Sequence, residues 1–562
     1  MPRVNPKKTQ LGSDRASLAE WPVLLFAPEL IIVTIVETPQ SRCLVGVARC
    51  DITPPVGIYH RMWGAATHER STGVHRPLTA TVLVLAPATA NEDSELRVVI
   101  AVDHCLLWTA EMNALLDSVS SAAGVDRDAL TVFFSHTHGA GLMGLDRREL
   151  PGGELIPPYL DELARKIAGL VDEARQRLTP ATIVYGTGRC DLAAHRDYFD
   201  EARGHFVCGF NPGGPADDAL LVGRVTSDSG ETLATLVNYA CHPTTLAWEN
   251  TLISPDYIGA LREVIESATD APCVFIQGAS GDIGPREGYV GDVSVADRNG
   301  RQLGYAALSV LESLPQPGRQ FEYTGPVVSG ATLGSWKYVP MTASQQEQCG
   351  AWVSRRGMVP LRYRADLPVR ADLERELASA RAAEAKALAD GDASRARDAR
   401  AMVERATRSL TRVALLPRAS SPRPHSDGGE GQGEGASSHT KAPLTLSPTV
   451  FVALKTGGDE GTGKADTIDA YPFPLVVWRM GAAVWIALDG EHYNVLQRTL
   501  RERFPGVTLV IGTLANGSNV WYLPDADSFG KGLYQEEASI LAQGSLEKVI
   551  EAATAAIRDV IS

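Results

Sequence analysis

The chain has 562 residues, 44% of them hydrophobic and 21% charged, an ordinary balance for a globular protein that excludes a fibrous or wholly disordered one. Fifty-three Lys and Arg against 67 Asp and Glu give a formal net charge of −14, and no basic block carries interleaved aromatics, which argues against a nucleic-acid partner. The eight cysteines (Cys43, Cys50, Cys105, Cys190, Cys208, Cys241, Cys273 and Cys349) are widely spread and form no CxxC pair, so reduced thiols are expected.

Residues 1–43 read as an N-terminal extension, polar at first and then apolar. Trp21 to Val36 is its one strongly apolar stretch, but it contains Pro28 and Glu29 and is too short to span a bilayer, so no stable membrane insertion is expected. No small-x-small cleavage site comes after it; a cytoplasmic location is the reading, with secretion as the alternative. The regular pattern begins at Leu44-Val-Gly-Val-Ala-Arg49. Asp51-Ile-Thr-Pro-Pro-Val-Gly-Ile58 is a turn, because two prolines fix φ and delete amide donors. Thr79–Ala86 and Leu96–Val102 read as buried strands, and a helix is expected from about Thr109. The alternation continues with a strand at 131–135, an amphipathic helix near Pro158–Leu178, strands at 182–186, 219–225 and 232–240, a helix near 256–268 and a strand at 272–277. This order predicts an α/β protein with a mixed, largely buried β-sheet core flanked by helices.

Residues 365–412 differ, being rich in Ala, Arg and Glu. They predict an inserted helical hairpin, broken at Asp390-Gly-Asp392, that decorates the body with solvated faces. Residues 418–443 are a low-complexity loop expected to be disordered, since almost nothing apolar offsets the entropy of ordering. Gly458-Asp-Glu-Gly-Thr-Gly-Lys464 has the spacing of a phosphate-binding loop and comes after a strand-like run, Thr449–Leu454. It fails on context: Ala465 stands where a magnesium-binding hydroxyl is needed, and the run ADTIDAYPFP does not begin a helix.

The candidate site starts at Thr131-Val-Phe-Phe-Ser-His-Thr-His-Gly-Ala-Gly141. Residues i and i+2 of a strand share a face, so His136 and His138 are expected to emerge together, roughly 7 Å apart along an extended chain. Gly139 and Gly141 allow backbone to approach. Such a pair alone is equally polar loop material, and partners decide. Leu233–Ala240 runs into Cys241-His-Pro, placing His242 at a strand end; Ala482–Leu488 runs into Asp489-Gly-Glu-His, presenting Glu491 at the head of an expected helix. Two imidazoles and a carboxylate suit zinc, which leaves a position open for water in catalytic sites.

These residues carry a resemblance. LVGVARCDITPPVGI, SHTHGAG, NYACHPTTL, SPDYIGALREVIE, FIQGASGDIGPRE and DGEHYNVLQRTL resemble, in order, the motifs of the neutral, non-lysosomal ceramidase family, over about residues 44 to 540. The resemblance implies one catalytic domain over 44–562 and a zinc ion held by His136, His242, Glu491 and a tyrosine, for which Tyr522 fits best with Trp521 one register away. It also implies His138 as acid/base and Arg196 near the scissile carbonyl, a buried structural arginine being the alternative. Two departures stand out. Gly284 replaces the family's loop serine, which rules out a nucleophile there but leaves a zinc-activated water intact. The sequence also stops at Ser562, without the family's immunoglobulin-like domain, which points to a soluble relative rather than a true ceramidase. The expected function is zinc-dependent hydrolysis of the amide bond of a small N-acyl-type substrate. Acyl transfer or cyclisation, ester or lactone hydrolysis, and non-catalytic binding are the alternatives; oligomeric state is not legible.

Overall fold

A computed structural model describes residues 34–89, 95–414 and 470–562. The low-complexity stretch 418–443, the Gly458–Lys464 loop with the run before it, and most of the N-terminal extension lie outside the described residues. The large sheet has eight strands: β1 (Gln40–Asp51), β2 (Thr79–Pro87), β3 (Arg97–Val102), β4 (Leu130–Phe134), β5 (Thr179–Arg189), β6 (Ala219–Ser227), β7 (Thr232–Tyr239) and β8 (Cys273–Gln277). Their spatial order is β8-β7-β6-β5-β1-β2-β3-β4. The two outermost pairs, β8/β7 and β3/β4, are parallel and the pairs between them antiparallel, so the sheet is mixed. The first strand starts at Gln40, four residues before the regular sequence pattern, because residues 40–45 pair with β5 as well as lying beside the body of the sheet.

A second sheet of four strands, β9 (Trp352–Arg362), β10 (Ala470–Met480), β11 (Ala483–Leu488) and β12 (Thr508–Gly512), packs face to face on the first. Burial on both faces explains why β2 reads TATVLVLA without alternation. Leu83 and Leu85 point into the inter-sheet core, whereas Val82 and Val84 meet helices on the other side. Trp478 and Trp485, directly opposite each other across β10 and β11 and stacked at 5.6 Å, fill the centre of that core. Removing either indole would cost about 3–5 kcal/mol.

Helices α1 (Thr109–Ala123), α2 (Ile156–Gln176), α3 (Tyr257–Thr269) and α4 (Val293–Ser313) cover the outer face of the large sheet. Helix α2 starts two residues earlier than its periodicity suggests, since Pro157 and Pro158 are tolerated in a first turn that has no partner for their missing amides. The predicted helical pair is present as α5 (Arg370–Ala389) and α6 (Ala393–Ala414), broken at the expected Asp-Gly-Asp. Helix α5 buries only Leu373 and Ala387 and fits the solvated decoration expected. Helix α6 does not. It buries Val403, Glu404 and Ala406, and its Glu404 accepts from Arg147 at 2.8 Å. Two further helices, α7 (Val495–Arg503) and α8 (Ser545–Ile561), close the outer face of the second sheet, completing four layers: helices, sheet, sheet, helices. All eight cysteines are free thiols, and among the described residues no helix is long and apolar enough to cross a membrane.

Candidate metal centre

The site lies where strands of both sheets stop. Strand β4 ends at Phe134, and His136, whose amide donates to the His104 carbonyl at 2.9 Å, takes a left-handed φ of 66° that is uncommon for a non-glycine residue. That bend changes the expected geometry. His138 opens a short 3-10 turn instead of continuing a strand, and the two rings stand 5.1 Å apart and nearly perpendicular. The glycines after them do what their position implied. A side chain at Gly139 would meet the Ser254 carbonyl at 2.6 Å, and one at Gly141, with φ 78°, would meet that of Tyr59 at 2.8 Å.

His242 lies just past the end of β7. Its Nε2 lies 3.1 Å from His136 Nε2, 3.1 Å from His138 Nε2 and 3.8 Å from a Glu491 carboxylate oxygen, which is 3.2 Å from His136 Nε2. Glu491 sits in a two-residue strand paired in parallel with Tyr522–Leu523, not at the head of a helix, which starts four residues later at Val495. The pairing brings Glu491 beside Tyr522, and a φ of 59° at Trp521 turns that indole away to stack on Trp108. The structure therefore brings Tyr522, not Trp521, to the cluster.

Tautomers are set by the neighbours. A carbonyl can only accept, so His136 Nδ1–H donates to the Cys105 carbonyl at 2.8 Å and His242 Nδ1–H to that of Ser280 at 3.3 Å. With both rings neutral, the Nε2 lone pairs would face one another and Glu491, an arrangement that a proton or a metal ion between them relieves. Imidazole nitrogens fixed through Nδ1, with a carboxylate alongside, form a donor set that zinc takes, and the Tyr522 hydroxyl stands near them. Among the described residues, His136, His242 and Glu491 form one group able to hold a metal. Cys105 with His136 and His138 forms another, but the His136 nitrogen facing that thiol is already committed to a carbonyl.

Charge supports the same reading. Burial pushes His138 and His242 well below the usual imidazole range, helped by Arg196 and by the neighbouring rings. At His136 burial is outweighed by Cys105 and Glu491, which hold it well above that range. Glu491, which burial alone would raise, is held below the carboxylate range by His136, Tyr522 and Arg196. The cluster is thus built to contain one centre of positive charge. Arg196 is buried, donates to the Gly281 carbonyl at 2.6 Å and the Tyr522 hydroxyl at 3.1 Å, and keeps an Nε–H with no acceptor among the described residues. Its neighbour Asp197 accepts from Tyr493 at 3.0 Å and Gln535 at 2.7 Å, and burial pushes nearby Asp282 up to about 7. Gly284 lies beside His242, where an added Cβ would make only ordinary contacts, the nearest to Thr244 Oγ1 at 3.4 Å.

Several groups at the site carry no signal in the sequence. Trp63 leans on His138 at 5.0 Å and meets Trp248 and Tyr289 edge-on, forming an aromatic wall. From helix α6, Arg408 donates to the Met62 carbonyl and pairs with Glu404 at 3.1 Å, and Arg412 lies over the Trp521 ring at 4.2 Å. A helix so full of arginine offers nothing to single these two out.

No protein-family model matches the sequence. Among solved structures, the chain is similar to a ceramidase complexed with C2, at 15% identity and a TM-score of 0.57 over 93% of this chain and 76% of that one. It is also similar to the neutral ceramidase from Pseudomonas aeruginosa, at 15% identity and a TM-score of 0.54 over 92% and 74%. A mixed sheet packed on a second sheet, with His136, His242 and Glu491 gathered at their ends, is in this chain a neutral ceramidase-like fold.

Proposed function

We propose that the chain is a zinc-dependent hydrolase that cleaves the amide bond of a small N-acyl-type substrate. The observation that carries this reading is the meeting of two Nδ1-anchored imidazoles and a carboxylate at strand ends, in a fold shared with ceramidases. His136, His242, Glu491 and Tyr522 would hold the metal. When bound, zinc would polarise the scissile carbonyl and bring the pKa of a water to about 7.

The remaining work falls to the protein's own groups. His138, kept neutral by burial and by adjacent positive charge, has its Nε2 directed at the cluster, where it can take a proton from the attacking water and return it to the leaving amine. Arg196 has a buried Nε–H still free to donate to a developing oxyanion, and its Nη2 steadies the Tyr522 hydroxyl. Tyr522, pushed well up by burial and by Glu491, stays protonated until a cation offsets that effect. The aromatic wall of Trp63 and Tyr289 would shield His138 from bulk water and seat an apolar part of the substrate.

Metal analysis of purified protein, combined with a screen of N-acyl amides against a chelator-treated control, tests the reading. One zinc per chain and hydrolysis that chelation removes and zinc restores are expected. Protein that binds no zinc and shows no chelator-sensitive turnover would instead be a binding protein on an enzyme's fold.

A further inference from the structure

Helix α6 enters the site as a cationic rim. Arg408 and Arg412 stand one turn apart on the same face. Arg408 is matched: Glu404 takes its Nε at 3.1 Å, and the Met62 carbonyl takes its Nη2. Arg412 is not. Among the described residues it has no acidic partner, and its Nε is buried with no acceptor. Its guanidinium stacks 4.2 Å above Trp521, which in turn stacks on Trp108 at 5.2 Å. Trp521 directly precedes Tyr522, so the indole that carries this cation adjoins the candidate metal-ligand cluster in the chain. The groups whose charge it meets from other elements are Tyr534, Tyr522 and Glu491, with Arg408 from its own helix.

A half-buried guanidinium without a counterion costs stability, and a planar fork stacked on an indole is preorganised for a planar anion. The Met62 carbonyl that accepts from Arg408 belongs to the residue before Trp63, so the rim is continuous with the aromatic wall on which His138 rests. An apolar wall at His138 and, further along the same rim, a cation with no acidic partner among the described residues suit a substrate with an apolar part and an anionic part. Resting on the hydrolase reading above, we propose that the substrate is an N-acyl amide bearing a carboxylate, of the N-acyl-amino-acid type, and that Arg412 binds this carboxylate.

The test compares two probes that differ only in charge, N-acetylphenylalanine and N-acetylphenylalaninamide, by isothermal titration calorimetry on the full chain. The carboxylate should bind roughly ten- to a hundred-fold more tightly, the usual range for a charge-assisted hydrogen bond. Arg412→Gln should close that gap to under about threefold, while Arg405→Gln, an exposed change on the same helix, should keep it. Equal binding of the two probes by the unaltered chain, no binding of either, or a gap that survives Arg412→Gln overturns the proposal. Should Arg412→Gln fail to fold, Arg412→Lys decides: the gap should shrink without vanishing, and an unchanged gap overturns the role of the planar fork. Zinc content and turnover are read separately. A missing gap in a zinc-loaded, active protein refutes the carboxylate site alone, and absent zinc or turnover refutes the hydrolase reading.

Discussion

Replacing Glu404 with Ala should undock helix α6 from the site. The carboxylate is 4% exposed and is shared by Arg147, 1% exposed, at 2.8 Å and Arg408 at 3.1 Å. Burial alone would raise its pKa, but these two guanidiniums hold it below the usual range, so it is charged at neutral pH. Removing it leaves buried Arg147 with Asp146 and partly buried Arg408 with the Met62 carbonyl. Breaking a buried pair from one side costs about 3–5 kcal/mol. Because the hairpin is peripheral, the loss should appear as local opening, not global unfolding. Amide exchange in residues 393–414 should therefore quicken roughly 140- to 3,700-fold, each 1.4 kcal/mol being a factor of ten. Hydrogen-exchange mass spectrometry reads this directly. Glu404→Met with Arg147→Met should recover part of the protection, since it removes two of the three charges and leaves Arg408 only the Met62 carbonyl. The sign with pH is set by the depressed pKa. The docking contribution is full above the unfolded glutamate pKa of about 4.3 and is lost as pH falls through the lower folded value, so α6 should open in acid before the sheets do. Exchange in Glu404→Ala within threefold of the unaltered protein would refute the account of how the rim is held.

Other perturbations probe the centre itself. Ala at His136, His242 or Glu491 should abolish stoichiometric zinc as measured by plasma mass spectrometry; retention in all three variants would put the metal elsewhere. His138→Ala should keep zinc and lose about 10²- to 10⁴-fold in turnover. Zinc lost together with rate would make His138 a ligand, and undiminished rate would make it structural. Asn238, wholly buried, donates to the Ile276 and Ile511 carbonyls, both at 2.9 Å, and accepts from the Ile511 amide at 3.0 Å, stitching the two sheets beneath the site. Asn238→Ala should lower stability by about 2–5 kcal/mol in a denaturant titration, and a loss below 0.5 kcal/mol would mean that water replaces those bonds.

How much of this fold the sequence discloses depends on how each element is buried. Buried strands such as β3 and β11 are continuous apolar runs and can be read directly, and so can the polar residues beyond strand ends: His136, His242 and Glu491 are legible for that reason. An edge strand with exposed faces is not. Strand β9 reads WVSRRGMVPLR, in which arginines, Gly357 and Pro360 interrupt the pattern, because only one neighbour, β10, pairs with it. Arg408 and Arg412 are hidden for the opposite reason: α6 has strong helix propensity on every face, and nothing local separates an arginine that meets the site from one that meets water.

The least legible feature is also the one that shapes the centre. His136, Leu514, Asn516 and Trp521 all adopt left-handed φ values between 56° and 66°, an arrangement that costs of order 1–3 kcal/mol at each non-glycine residue and persists only where surroundings enforce it. Here they do. The Leu514 amide is held by the Gly490 carbonyl at 3.1 Å, the Trp521 carbonyl by the Glu491 amide at 2.7 Å, and the His136 amide by His104. Asn516 pairs with the free edge of β4, donating its amide to the Val132 carbonyl and accepting the Val132 amide on its side chain, both at 2.8 Å. It thereby does for β4 what a ninth strand would do, and ties the Tyr522 loop to the strand that delivers His136. The bends at the two ends of this tie turn His136 toward His242 and swing Trp521 out under Arg412, so the strain that assembles the candidate metal ligands also builds the platform on which Arg412 stacks.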